Sequence, residues 1–265
     1  MRLYDLICET PKHDISLAVL SKQVAEYIVN VYAPTTAKKI RVTGKPINKG
    51  VDPELEYAML MGKPIRAGHI AGYDIEDIPR CTFKVGSVKD MVTVDDDQIY
   101  RIIKNTRIYL CTFSVMDSDV QARIYLDRSN KVEASVFILS TSDSVKVLQS
   151  QLIHEFRHLM DFKMSKGKAK FFNFPNEEDM VKLSKDERAK LDSDYYKNKT
   201  EMNARYTQAI RDILDVLDEG PVKADDFKTA VDEIFNNHFL HAGTEKERKR
   251  FINRAYMLYK ERNGQ

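Results

Sequence analysis

The chain has 265 residues, with 42 lysines and arginines against 40 aspartates and glutamates, so its formal net charge is only +2. A protein that binds nucleic acid mainly by neutralising phosphates carries a clear basic excess, so this balance argues against nucleic acid as a partner. With 43% hydrophobic and 31% charged residues the composition is that of an ordinary globular chain, which excludes disorder as the main state and leaves length for one large core or two small ones.

No apolar run approaches the roughly 20 residues that a bilayer-spanning helix needs; Val136-Phe137-Ile138-Leu139 is typical of the longest. The stretch Met1 to Glu9 is interrupted by acids and lacks the apolar core of a secretory signal, so a cytoplasmic location is expected and no membrane partner. Cys8, Cys81 and Cys111 are odd in number and widely spaced, which suggests neither a disulfide framework nor a thiolate zinc site. Nothing matches the glycine-rich dinucleotide or P-loop patterns.

In chain order, Leu17, Leu20, Val24, Ile28 and Val31 predict a core-packing helix from Ser16 to Ala33, closed by Pro34. The next sixty residues hold most of the glycines, together with Pro46, Pro53, Pro64 and Pro79. They are expected to be loop-rich, with short strands at Lys39 to Val42 and Thr82 to Val85. Asp95 to Asp97 precede Ile99, Tyr100, Ile102 and Ile103 as acids precede a helix. Strands are predicted at Arg107 to Val115, Val120 to Leu126 and Val132 to Leu139. The last two are joined by the polar turn Asp127-Arg128-Ser129-Asn130 as a hairpin, which gives a small mixed or antiparallel sheet.

A long helix follows, capped near Ser142 or Asp143 and reaching about Phe162, with Val145, Leu148, Leu152, Phe156 and Leu159 on one face. The polar stretch from Lys163 to Asp194 carries a basic run at Lys163, Lys166, Lys168 and Lys170. It reads as solvated loop or short helices rather than a phosphate-binding patch. Further helices are predicted at Thr200 to Leu217, stopped by Gly220-Pro221, at Ala224 to Phe239, and at Lys246 to Arg262, the last markedly basic.

His154-Glu155-Phe156-Arg157-His158 reads H-E-x-x-H inside the best-patterned helix of the chain. Spacing i, i+4 puts both imidazoles on one face a turn apart, the separation that two ligands of one zinc ion need. Glu155 stands about 100° around the helix from His154, where it can reach a water on the metal without ligating it, as a general base does. A third ligand is required, and Asp161, Glu201, His238 and His241 are the candidates. Asp161 lies on the histidine stripe and suits an orienting hydrogen-bond acceptor better than a converging ligand. Glu201 begins a new helix after a 42-residue excursion from His158, and a second helix packed on the first is a natural way to bring a carboxylate across.

Together, His154-Glu155-x-Arg157-His158-x-x-Asp161, then Tyr195-Tyr196 and Glu201-Met202-Asn203-Ala204-Arg205, resemble the zincin metallopeptidases whose third ligand is a glutamate. The likeness is greatest to metallopeptidases encoded by bacteriophages and prophages. It covers roughly Val132 to Leu217, about a third of the chain. Arg157 departs from the classical pattern, which disfavours charge between the histidines, and this counts against the classical secreted families.

The resemblance implies an α+β, zincin-like fold, with a small sheet packed on the H-E-x-x-H helix and a mainly helical C-terminal part. The implied organisation is residues 1–90 as an N-terminal helix with a loop-rich region, 91–220 as the catalytic core and 221–265 as a helical extension. It implies Zn2+ held by His154, His158 and Glu201, with Glu155 as base for hydrolysis of peptide bonds, and Ala204 as the small residue that lets the two helices approach. The strand Ala134 to Leu139 would be the edge on which an extended substrate pairs. Tyr195, Tyr196 or Arg205 would stabilise the oxyanion. Partners would be a protein or peptide substrate, a phage structural protein or a host protein, in the host cytoplasm or the virion. A second reading is a virion or interaction protein that keeps this fold around a structural or vestigial metal.

Overall fold

The computed structural model describes residues 11–61, 81–93, 98–111, 122–126, 134–138, 144–166, 168–169, 182–239 and 244–263. Helix α1 (Pro11–Tyr27) runs into a π-helical turn (Ile28–Tyr32) and then α2 (Ala33–Thr43); α3 (Pro53–Leu60) comes after it. Strand β1 (Thr82–Ser87), a 3-10 turn (Val88–Asp90), α4 (Gln98–Ile103) and the strands β2 (Arg107–Cys111), β3 (Ala122–Leu126) and β4 (Ala134–Ile138) come next. The remainder is helical: α5 (Val145–Met164), α6 (Lys185–Lys197), α7 (Lys199–Asp218), α8 (Ala224–Phe239) and α9 (Glu245–Arg262). Among the described residues no helix is long and apolar enough to cross a membrane.

The architecture is α+β. It divides into two compact units, residues 18–159 and residues 1–17 with 160–265. The boundaries fall inside α1 and α5.

The unit of residues 18–159 holds a four-stranded sheet in the order β1-β2-β4-β3. β1 pairs antiparallel with β2 across a bulge between Lys84 and Gly86, β2 pairs parallel with β4, and β3 pairs antiparallel with β4 from Ala122↔Ile138 to Leu126↔Ala134. The hairpin expected over β3 and β4 is present as antiparallel pairing, while its turn at residues 127–130 and the end of the preceding strand, residues 112–115, lie outside the described residues. One expectation is overturned: β4 is an inner strand, hydrogen-bonded on both sides, so Ala134 to Ile138 offers no edge. Among the described strands the edges are β1 and β3.

Three further expectations about this unit are corrected. Pro34 does not close the first helix. The Ala33 N–H reaches back five residues to Ile28 O, and this wider π turn lets the chain continue with the proline in the first turn of α2, where its missing N–H costs no helical bond. Lys39 to Val42 is the last part of α2, not a strand. Alternation suggested a shared face for Ile40 and Val42, but the helix buries Ile40 at 1% and leaves Val42 77% exposed. That helix ends at Gly44, whose φ of +62° is the left-handed cap that glycine adopts without penalty. Within the loop-rich region α3 forms because Asp52 accepts the backbone N–H groups of Glu54 and Leu55, capping a helix that Pro53 opens.

In the other unit, α7, α8 and α9 assemble a core from residues repeating at helical spacing. Ala209, Ile210, Ile213 and Leu217 meet Phe227, Val231, Phe235 and Phe239, with Phe251, Ala255 and Leu258 closing the cluster. Each phenylalanine fully buried here contributes about 2 kcal/mol or more relative to exposure. Asp14, 1% exposed, pairs with the guanidinium of Arg254 and accepts the Thr207 hydroxyl at 3.2 Å. Helix α6 starts at a capping box in which Ser184 and Glu187 bond reciprocally, so part of the polar stretch before Asp194 is a regular helix.

Candidate metal centre

The site begins with the apolar stripe of α5. Leu148, Leu152, Phe156 and Leu159 are buried to within 1%, which fixes the rotation of the helix and thereby the directions of the residues between them. The Nε2 atoms of His154 and His158 lie 3.0 Å apart, with the two rings perpendicular. Two ligand atoms bound to one zinc at tetrahedral angles stand about 3.3 Å apart, so the pair is spaced for a common ion.

The third donor comes from α7. Glu201 occupies its first turn, where the helix dipole favours a carboxylate, and Asn198 caps that turn by accepting the N–H and the hydroxyl of Thr200. His154, His158 and Glu201 each offer one ligand atom, and all three atoms lie within 4.8 Å of one another. His158 and Glu201 are buried and His154 is half-buried. Two imidazoles and one carboxylate form the donor set of catalytic zinc sites, which keep a fourth position open. The residues present therefore fit zinc.

Of the other candidates, Asp161 is fully buried and accepts a hydrogen bond from Asn203 Nδ2 at 3.0 Å, which ties α5 to α7. His238 on α8 bonds Asp212 at 2.7 Å. Both stand outside the three-donor group, and His241 lies outside the described residues. Glu155 is buried, at 6% exposure, one residue from His154.

Tyr195 and Tyr196 lie in the last turn of α6, which ends at Lys197. The Tyr195 hydroxyl bonds the Glu201 carboxylate and also receives Arg205. Its phenol pKa is pushed well above the ordinary value, first by burial and then by the Glu201 charge, so Tyr195 stays a protonated donor. The Arg205 guanidinium packs 4.4 Å over the Tyr196 ring and 5.7 Å from the Tyr195 ring centroid. Ala204, 0% exposed, is the small residue one turn after Glu201.

Sequence reasoning missed Asn198 and Asn203. The signal for the first was an asparagine two residues before a threonine at a helix start, and for the second an amide two residues past the candidate ligand. No family model, curated protein or solved structure matches this chain.

Proposed function

We propose that the protein is a zinc-dependent endopeptidase of the zincin type, with His154, His158 and Glu201 as ligands and Glu155 as general base. The single observation that carries this reading is the approach of Glu201 to the two histidines of H-E-x-x-H across 42 intervening residues. When bound, zinc supplies Lewis acidity, polarising a carbonyl oxygen and lowering the pKa of water toward about 7.

The protein's own residues do the rest. Glu155 takes a proton from the water as its oxygen attacks the peptide carbonyl carbon, then delivers that proton to the amine as the C–N bond breaks. Tyr195 holds the Glu201 carboxylate by donating to it, and Arg205, braced on Tyr196, holds Tyr195 in turn. An extended peptide substrate would add to the sheet at β3, an edge strand, rather than at the inner β4. From the resemblance, the setting is a bacterial cytoplasm or a virion.

Elemental analysis of untagged protein tests the metal: about one zinc per chain is expected, lost in His154→Ala. Absence of zinc from the wild-type protein would sink the reading. Glu155→Gln should keep the zinc and lower cleavage of a peptide library by at least about 100-fold, as loss of a general base does.

A further inference from the structure

Helix α6 buries none of its residues, whereas α7, α8 and α9 of the same unit each contribute side chains to its aromatic and aliphatic core. Residues 185–190 are all exposed, and the half-buried positions, Leu191, Ser193, Tyr195 and Tyr196, belong to the later turns. Charged side chains on the exposed turns, Arg188 among them, hold a helix weakly, because ion pairs in water contribute little. A helix without a buried face opens at low cost compared with the core helices beside it.

The backbone also separates α6 from α7. Asn198, with ψ of 132°, is the extended residue between them, and each helix carries its own cap: Ser184 with Glu187 for α6, and the Asn198 side chain accepting from the Thr200 N–H at 2.9 Å for α7. Fraying of α6 from its first turn therefore uncaps nothing in α7. The last turn of α6 joins the two helices, since Tyr195 donates to Glu201 and accepts from Arg205, whose guanidinium lies 4.4 Å over the Tyr196 ring. Glu201 is also the candidate ligand, and a carboxylate has one oxygen for each task. Docking of α6 and ligation thus share one side chain. With Glu201 fixed as a ligand, the acceptor stands where the Tyr195 hydroxyl needs it. A docked Tyr195 holds Glu201 in the ligating position in return, because coupling between two such events is reciprocal.

We propose that α6 is a metal-responsive strap, which packs on α7 when Glu201 ligates and frays from its first turn toward Asn198 when Glu201 does not. This rests on the zinc site proposed above. Amide hydrogen exchange of the full chain, read by mass spectrometry on chelator-treated protein before and after addition of zinc, tests it, with zinc binding followed on the same samples by chelator competition. Exchange in peptides from residues 185–197 should slow about fivefold or more with zinc, while peptides from α8 and α9 stay within about twofold. Ser184→Ala removes the cap at the far end of α6, eleven residues before Tyr195, and should weaken zinc binding by about threefold or more. Ser184→Thr keeps the capping hydroxyl and should bind zinc as the wild-type protein does. Zinc binding with unchanged exchange in α6 would overturn the proposal and leave the zinc site standing. So would slowing shared equally by α8 and α9, or wild-type zinc affinity in Ser184→Ala. Absence of zinc binding would overturn both.

Discussion

At the scale of single residues, the chemistry proposed for the metal centre depends on side chains that hold other side chains. Tyr195 donates to Glu201 and receives Arg205, so its hydroxyl is the link between a candidate ligand and a fixed charge. Tyr195→Phe removes that link with little change in shape. Zinc affinity, measured by competition with a chromophoric chelator, should fall about 10- to 100-fold, while the far-ultraviolet spectrum stays the same. The H-E-x-x-H residues were legible in the sequence because spacing i, i+4 on a helix is local geometry. Glu201 was one of four open candidates, because a long-range approach between helices leaves no local periodic mark. Asp161 was expected to orient an imidazole, whereas the hydrogen bond it accepts comes from Asn203, which was not legible because a single amide carries no periodic signal.

At the scale of elements, the start of α7 decides where Glu201 stands. Asn198 supplies the cap by accepting from Thr200, and Glu201 stands in the third helical position. Asn198→Ala should lower stability by about 1 kcal/mol in urea denaturation and weaken zinc binding as the first turn frays. The helices with a clean apolar repeat, α5, α7, α8 and α9, could be read in advance because one face of each is buried continuously. The segment around α2 and α3 could not. Pro34 normally ends a helix but here sits in a first turn, and Ile40 with Val42 imitates the alternation of a strand. The cap that starts α3 at Asp52-Pro53-Glu54 was hidden among other prolines and glycines.

At the scale of the whole molecule, near-neutral charge conceals strong local pairing. Asp14 and Arg254 are 240 residues apart and both nearly fully buried, with Thr207 donating to the same carboxylate. Asp14→Ala leaves the guanidinium buried without its countercharge. It should cost about 3 to 5 kcal/mol, seen as a lower urea midpoint for the loss of helical signal. Composition could not reveal this, because a count of charges holds no information on which of them meet. The π turn at Ile28–Tyr32 bears on how the chain tolerates a change of length. Such a turn holds one residue more than an α-helical turn, so a one-residue deletion there, combined with Pro34→Ala to keep proline out of the joined helix, restores a continuous α-helix without rotating the faces of α2. The same deletion between His154 and His158 would swing one imidazole about 100° from the other. Of these two helical segments, the first therefore accommodates the loss of one residue and the fifth does not.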